Sequence, residues 1–180
     1  MKELTFLRNA PTANPTLTVR TGNPDDAQIC GEICFQAFET IAEQYDFPSD
    51  FPTLEVAQEL MARLFDRSNI YSLVAEVDGQ IVGSNFLWAE TIVAGIGPLT
   101  VAPTSQNANV GKHLMQAILN RAGQQGFASV RLVQAACHNR SLALYTKLGF
   151  EVRESLVTIQ GNALGLELPG YPVRLATAAD

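Results

Sequence analysis

The chain has few of the residues that build metal centres or disulfide frameworks. It contains 2 histidines and 3 cysteines in 180 residues, and neither His113 nor His138 has metal-ligand spacing to a cysteine or carboxylate. Cys30 and Cys34 are one helical turn apart on an apolar stripe, which indicates buried thiols rather than a disulfide or metal pair. His138 directly follows Cys137, and neighbours on a strand point to opposite faces, so this pair is poorly arranged for nucleophilic catalysis. The sequence therefore predicts no metal site.

Long apolar runs and an excess of positive charge are also missing. No segment approaches the length of a membrane span, and Glu3 and Arg8 interrupt the region where a signal peptide would be apolar. These features predict a cytoplasmic protein without a membrane partner. The 12 basic residues against 18 acidic ones give a formal net charge of -6. This balance argues against a general nucleic-acid surface, yet it allows a local cluster that binds one anionic ligand.

What the chain has is a large apolar fraction in which strand-like and helix-like segments alternate. With 47% hydrophobic residues, it can bury the core of one globular domain. Residues 1–16 are predicted to be a lead-in, and residues 17–176 a single domain. The patterns include a hairpin turn at Asp78-Gly79 and a strand from Ile92 to Val101. Their order predicts an α/β fold with a mixed sheet and helices on both faces.

The most informative segment joins a strand to a helix. The apolar run ends at Val101, Pro103 breaks it, and helical spacing begins at Val110. The first N–H groups of a helix lack partners within the helix, and its dipole is positive at that end, so the junction predicts a pyrophosphate site, with Lys112 as a cation. The predicted site residues here are Gln106, Asn107, Ala108, Asn109, Val110, Gly111, Lys112 and His113.

Two common nucleotide-binding loops fit this segment poorly. A Walker A loop needs glycine at Gln106 and a hydroxyl at His113, and the glycine-rich dinucleotide fingerprint is absent. The segment instead resembles the acetyl-CoA loop of the GNAT acetyltransferase superfamily, V-x-P-x-x-[QR]-x-x-G-x-[GA]. It matches at Val101, Pro103, Gln106 and Gly111. Asn109 stands where the pattern has glycine, and asparagine is among the residues that most readily adopt a positive φ.

A second motif resembles the same family. Residues 139–150 match N-x-x-[SA]-x-x-[LF]-Y-x-[KR]-x-G-F and predict a short helix that is capped by Asn139 and ended by Gly149, with Phe150 beginning a strand. By this resemblance, Asn139 bonds the pantetheine arm of CoA and the Tyr145 hydroxyl protonates the leaving thiolate. Without the second motif, a tyrosine on an amphipathic helix is more often a core residue.

The resemblance covers about residues 17–150 and implies a GNAT fold, with six to seven strands flanked by about four helices. It implies that an acetyl group passes from the cosubstrate acetyl-CoA to a primary amine by direct attack, with a small molecule or a protein as acceptor. It also implies that backbone groups of Leu99, Thr100 and Val101 hold the acetyl and pantetheine portions, in a splay between two parallel strands.

The general base is the open question of this sequence. Many relatives carry a glutamate early in the strand before the cofactor loop, where this chain has Ala94-Gly95-Ile96-Gly97. Glu90 is the nearest acid and is predicted to be catalytic through water, with a solvated turn residue as the alternative. The acids of the Tyr45–Pro52 loop either attract a cationic amine or are solvated. The missing glutamate also keeps open a non-catalytic CoA-binding domain, regulatory or partner-binding, in a tandem protein.

The tail allows two organisations. Residues 151–160 and 171–176 are predicted as closing strands of the same domain. However, Val173–Asp180 echoes Val19–Asp26, so residues 171–180 would alternatively begin a second, truncated repeat. Aromatic residues in the loops fit either an acceptor pocket or the seam of a homodimer.

Overall fold

Six strands and four α-helices make up the regular structure of the part of the chain that the structure describes. The structure is a computed structural model that describes residues 16–106, 108–158, 169–170, 172, 174–175 and 177–178. The strands are β1 Leu17–Thr21, β2 Ile70–Val77, β3 Gln80–Trp88, β4 Val93–Ile96, β5 Thr100–Val101 and β6 Ser129–Arg131. The helices are α1 Ala27–Tyr45, α2 Leu54–Asp66, α3 Val110–Gln124 and α4 Asn139–Lys147.

The strands form one mixed sheet in the order β1-β2-β3-β4-β6, with β5 also paired to β3. β4 and β6 are parallel, and the other pairs are antiparallel. The predicted hairpin joins β2 to β3 through Asp78 and Gly79, whose φ values are 51° and 80°. Two consecutive positive φ angles suit a tight hairpin turn, because they match the twist of the flanking strands.

The helices cover both faces of the sheet, as predicted. Side chains on alternating positions of β2 point to opposite faces, so Val74 packs with α1 and α2 while Leu73 and Ala75 pack under α3. The two helices of the first layer approach closely at Gly31, where an added Cβ would lie 2.6 Å from the backbone of Gln58. Only glycine permits this contact without a shift of the backbone.

The predicted strand from Ile92 to Val101 is split in two. β4 ends at Ile96, the peptide bond between Gly97 and Pro98 is cis, and β5 begins at Thr100. Gly97 donates its N–H to Phe86 at 2.9 Å, whereas Thr100 lies opposite Ser84. From Gly97 to Thr100 the chain advances by three residues, whereas the opposing residues of β3, Phe86 and Ser84, are only two apart. The extra residue makes a β-bulge.

The tail differs from the sequence prediction. Contacts divide the chain into two units, Met1–Phe150 and Glu151–Asp180. The predicted strand at 151–160 is wrong over residues 151–158, which have no regular structure, while 159–160 lie outside the described residues. The side chains of Val152 and Val157 are exposed, and a strand needs a neighbour that takes its hydrogen bonds. Of the predicted strand at 171–176, only 172 and 174–175 are described, and these are not in a strand.

The domain limits predicted at 17–176 stay a prediction, as does a repeat that would begin at 171–180. The lead-in assigned to residues 1–16 lies outside the described residues except for Thr16, whose N–H bonds Asp78 at 3.0 Å. In the described ranges, no helix has the length and apolar content of a membrane span.

Candidate active site

The parallel strands β4 and β6 separate after a short pairing and leave a cavity between them. Their register runs only from Val93 opposite Ser129 to Gly95 opposite Arg131. Beyond it, residues 97–99 form the bulge and residues 132–135 leave the sheet. The cavity measures about 530 Å³, and its walls come from α1, Asp50, Trp88, residues 95–99, residues 131–135 and one face of α4.

The strand β5, which follows the bulge, has one edge toward β3 and one edge away from it. Ala102 donates its N–H to the Val82 carbonyl at 2.8 Å, and hydrogen-bonded pairs alternate along an antiparallel ladder, so Thr100 also faces β3. Val101 then presents its N–H on the opposite edge, and the preceding residue Leu99 lines the cavity. In the described part of the chain β5 pairs with β3 alone, so this edge is open for an extended ligand. Thr100 itself is buried and its hydroxyl lies 3.0 Å from that of Ser84.

The predicted anion loop has the backbone that its sequence suggests. Asn109 precedes α3 with φ 59° and ψ 14°, in the left-handed region that the matching glycine would adopt. Its carbonyl accepts the N–H of His113 at 3.1 Å and lies 2.9 Å from Nδ1 of the same histidine. Ala108 uses its N–H within the preceding turn, at 3.2 Å from the Ser105 carbonyl. Lys112 is exposed.

Of three other residues of this loop, two pack against the rest of the domain and one is not described by the structure. Val110 is fully buried. A Cβ on Gly111 would lie 3.5 Å from Leu144 and 3.7 Å from Val101, so this glycine faces the junction of α4 with β5. Asn107 lies outside the described residues.

Arg140 joins the two motifs, a contact that the sequence analysis missed. Its Nη1 donates to Oε1 of Gln106 at 2.8 Å, and its Nη2 donates to the Gln106 carbonyl. The two residues are 34 positions apart, and neither motif alone specifies the pairing. The start of α4 therefore fixes the loop that precedes α3.

Tyr145 lines the cavity from the middle of α4. Its ring packs against Phe150 with centroids 5.9 Å apart, and burial raises the pKa of its hydroxyl while a hydrogen bond with Ser141 lowers it. The phenol is therefore protonated at neutral pH, as a proton donor must be.

Asn139 differs in detail from its predicted role. The residue that caps α4 is His138, without a side-chain cap bond, and Asn139 is the first helical residue. The predicted cap is thus one position off. Asn139 is exposed and is not among the residues that line the cavity. Its contact with the pantetheine arm stays a prediction.

Glu90 and Asp50 occupy different surroundings. Oε1 of Glu90 accepts hydrogen bonds from Arg67 at 2.7 Å and Asn69 at 3.0 Å, and Glu90 does not line the cavity. Asp50 does line it, and it is the one carboxylate among the lining residues. The catalytic role predicted for Glu90 stays a prediction, and Asp50 is a second candidate that the sequence indicated only as one of several loop acids.

The loop around Asp50 is tied to α1 on both sides. Ser49 donates its hydroxyl to the Glu39 carboxylate at 2.6 Å, and Phe51 meets Phe38 edge-to-face with ring centroids 5.3 Å apart. These contacts hold the Asp50 backbone in one place relative to the cavity.

Gln134 contributes a further polar group that sequence patterns did not reveal. It lines the cavity between β4 and β6, and its Oε1 is buried without a hydrogen-bond partner in the described residues. Such an acceptor is costly unless a ligand satisfies it. A metal is a poor match, because no group of three histidine, cysteine or acidic side chains in the described ranges could hold one.

Comparison with known proteins identifies the family. A sequence model of the Acetyltransferase (GNAT) family matches residues 35–150. The chain belongs to this family. None of the curated protein sequences gives a significant match. The sheet of six strands and four helices is that of the GNAT acetyltransferases, as the motifs predicted.

Solved structures show the same fold at low sequence identity. The PaiA N-acetyltransferase of Thermoplasma acidophilum in complex with coenzyme A aligns with a TM-score of 0.69 and 19% identity, over 78% of this chain and 92% of its own. An aminoglycoside N-acetyltransferase in complex with CoA gives 0.66 and 14%, over 86% and 100%. The ribosomal-protein-alanine N-acetyltransferase of Brucella melitensis biovar Abortus 2308 gives 0.60 and 14%, over 82% and 100%.

Proposed function

We propose that this GNAT domain is an acetyl-CoA-dependent N-acetyltransferase that acts on a primary amine, of a small molecule or a protein, by direct attack. The observation that carries the proposal is the cavity between β4 and β6, because the open backbone edge of β5 and the protonated phenol of Tyr145 occur together there. Two of the solved structures with this fold contain CoA. The family and the shape of the site thus point to the same cosubstrate.

The chain offers groups that fit the separate parts of acetyl-CoA. The N–H groups of Leu99 and Val101 suit the pantetheine amides and the thioester oxygen. The acceptor Oε1 of Gln134 needs a donor, which a pantetheine N–H supplies. The left-handed turn at Asn109 and the start of α3 suit the pyrophosphate.

The reaction requires one bond to form and one to break. The amine nitrogen attacks the thioester carbon, the carbon–sulfur bond breaks, and Tyr145 gives its proton to the departing sulfur. An alkylammonium has a pKa of about 10.4, so presenting it neutral at pH 7 costs roughly 4.6 kcal/mol. A nearby carboxylate reduces this barrier by receiving the proton.

Asp50 is better situated for that proton than Glu90. It lines the cavity, as do Phe38 and Trp88, and a carboxylate in a cavity with aromatic walls attracts an ammonium with an apolar body. Glu90 already accepts hydrogen bonds from Arg67 and Asn69. The proposal therefore assigns amine recognition and proton acceptance to Asp50 in the first place.

The test combines acetyl-CoA calorimetry with thiol release on a panel of amines. Tyr145→Phe keeps the ring packing, so we expect unchanged acetyl-CoA affinity and a kcat lower by about 100-fold or more. Tyr71→Phe is the matched control, since its hydroxyl contacts Thr21 outside the cavity. Asp50→Asn should raise the KM of the amine and lower kcat more than Glu90→Gln does.

Each possible failure has a separate meaning. No acetyl-CoA binding at millimolar concentration would reject the assignment altogether. Binding without turnover of any amine would support the non-catalytic CoA-binding domain. Full activity of Tyr145→Phe would remove this tyrosine from the mechanism.

A further inference from the structure

The N-cap residue of α4 and the cavity-facing side of this helix carry three hydrogen-bonding side chains in a row. His138, Ser141 and Tyr145 are spaced by three and four residues, so they lie on one helical face, and all three line the cavity. Nδ1 of His138 lies 2.7 Å from Oγ of Ser141. Ser141 and Tyr145 are four residues apart on this face, and an interaction with Ser141 lowers the pKa of the Tyr145 phenol against the effect of burial. The serine hydroxyl therefore lies between an imidazole and the group that donates the proton.

The proposed function leaves Tyr145 with a problem that this row can solve. Once the phenol has protonated the thiolate, it is a phenolate in a half-buried position where charge is unfavourable. It must regain a proton before the next turnover. The neighbours of the phenol along α4 are therefore candidates for the group that supplies this proton.

Resting on that proposed function, we propose that His138 and Ser141 are positioning residues that return a proton to Tyr145 after each acetyl transfer. The phenolate takes the proton of the Ser141 hydroxyl, and Ser141 takes the proton on Nδ1 of His138. Nε2 of His138 then takes a proton from water, and exchange with water restores the Nδ1–H tautomer. One proton in all moves from water to the thiolate, while the amine gives its surplus proton to Asp50 or water.

The charges around His138 favour the neutral imidazole that this relay needs. Burial lowers the pKa of His138, and the positive charge of Arg140 lowers it further. The other charged or titratable groups that share the cavity are Asp50, Arg131 and Tyr145. A neutral imidazole has one nitrogen that donates and one that accepts, so it can pass a proton without holding an extra one.

Kinetics of single and double variants test the relay. We expect His138→Ala and Ser141→Ala each to lower kcat by about 10-fold with unchanged acetyl-CoA affinity. In the Tyr145→Phe background both losses should vanish, because no phenolate forms there. Imidazole in the buffer should partly restore kcat of His138→Ala, which a purely structural defect would not permit. Thr146→Ala, an exposed side chain on the same helix, is the control.

An equilibrium measurement separates the relay from the proposed function. Subtracting the ultraviolet titration of Tyr145→Phe from that of the wild type isolates the Tyr145 phenol. Ser141→Ala should raise its pKa, since the phenolate loses a hydrogen bond. No such shift, or losses that persist in the Tyr145→Phe background, would overturn the relay in an active enzyme. A wild type that shows the shift but acetylates no amine would overturn the proposed function, and the relay with it.

Discussion

The left-handed residue before α3 makes the loop between β5 and α3 sensitive to the side chain at position 109. Asn109 has φ 59°, a region that costs an ordinary L-residue roughly 1–2 kcal/mol, and asparagine less because its side chain bonds locally. We therefore expect Asn109→Ala to cost about 1 kcal/mol, and Asn109→Val about 2 kcal/mol because a β-branched residue fits this region worst. Asn109→Gly should cost little, since glycine adopts positive φ freely.

The cost appears in one of two measurable quantities. If the loop keeps its shape, the free energy of unfolding falls by the full amount. If the loop relaxes instead, stability is kept and acetyl-CoA binds more weakly, by roughly 5-fold for alanine and 30-fold for valine. The two losses must add up to the same total, because the bound state requires the left-handed turn in either case.

Urea denaturation and acetyl-CoA calorimetry on the same samples measure both losses. Asn120→Ala is the control, because Asn120 is an exposed residue within α3, where alanine is a better helix former. Wild-type stability and affinity in both Asn109→Ala and Asn109→Val would show that the loop does not need a positive φ. A loss of affinity in Asn109→Gly would instead mean that the asparagine side chain itself contacts the ligand.

Two further predictions concern groups away from the cavity. Asp26 is buried and accepts hydrogen bonds from Arg20 at 2.8 Å, which lower its pKa, so Asp26→Asn should lower the free energy of unfolding by about 3 kcal/mol at pH 7. A depressed carboxyl pKa contributes its full stability above the unfolded value near 3.9 and loses it as the pH falls through the lower folded value. Urea melts should therefore show this gap closing below about pH 3.9, and a gap that does not change with pH would contradict the argument. Burial raises the thiol pKa of Cys30 and of Cys34 to about 12. An aromatic disulfide reagent at pH 8 should therefore label Cys137 alone in the native protein, and all 3 cysteines after denaturation. Fast labelling of the native Cys137→Ser variant would be incompatible with burial of the other two thiols.

The sequence predicted those parts of the fold that depend on neighbouring residues. The hairpin at Asp78 and Gly79 and the left-handed Asn109 both follow from local backbone preference. The predicted cap at Asn139 was wrong by one residue, which is the usual uncertainty of a helix end. The strand predicted from Glu151 was wrong because apolar composition does not supply a pairing partner.

The sequence did not predict the contacts between residues that lie far apart along the chain. Arg140 bonds Gln106 across 34 residues, and Asp50 reaches the cavity because Ser49 and Phe51 are tied to α1. The Gln134 oxygen, which has no hydrogen-bond partner among the described residues, is likewise recognised only when burial is known. Each of these depends on packing between elements, which periodicity along one segment does not encode.

The proposed function assigns the cosubstrate and the acceptor to different kinds of group, and this bears on where specificity resides. In that proposal the cosubstrate is held mainly by backbone groups, those of Leu99 and Val101 and of the turn at Asn109. Many side chains can vary without changing such a site, and structures that share only 14–19% identity with this chain have the same fold. The proposed acceptor site consists instead of the side chains of Phe38, Asp50 and Trp88, which line the cavity. The acceptor must therefore be sought by varying these three residues against an amine panel, because the shared fold does not determine it.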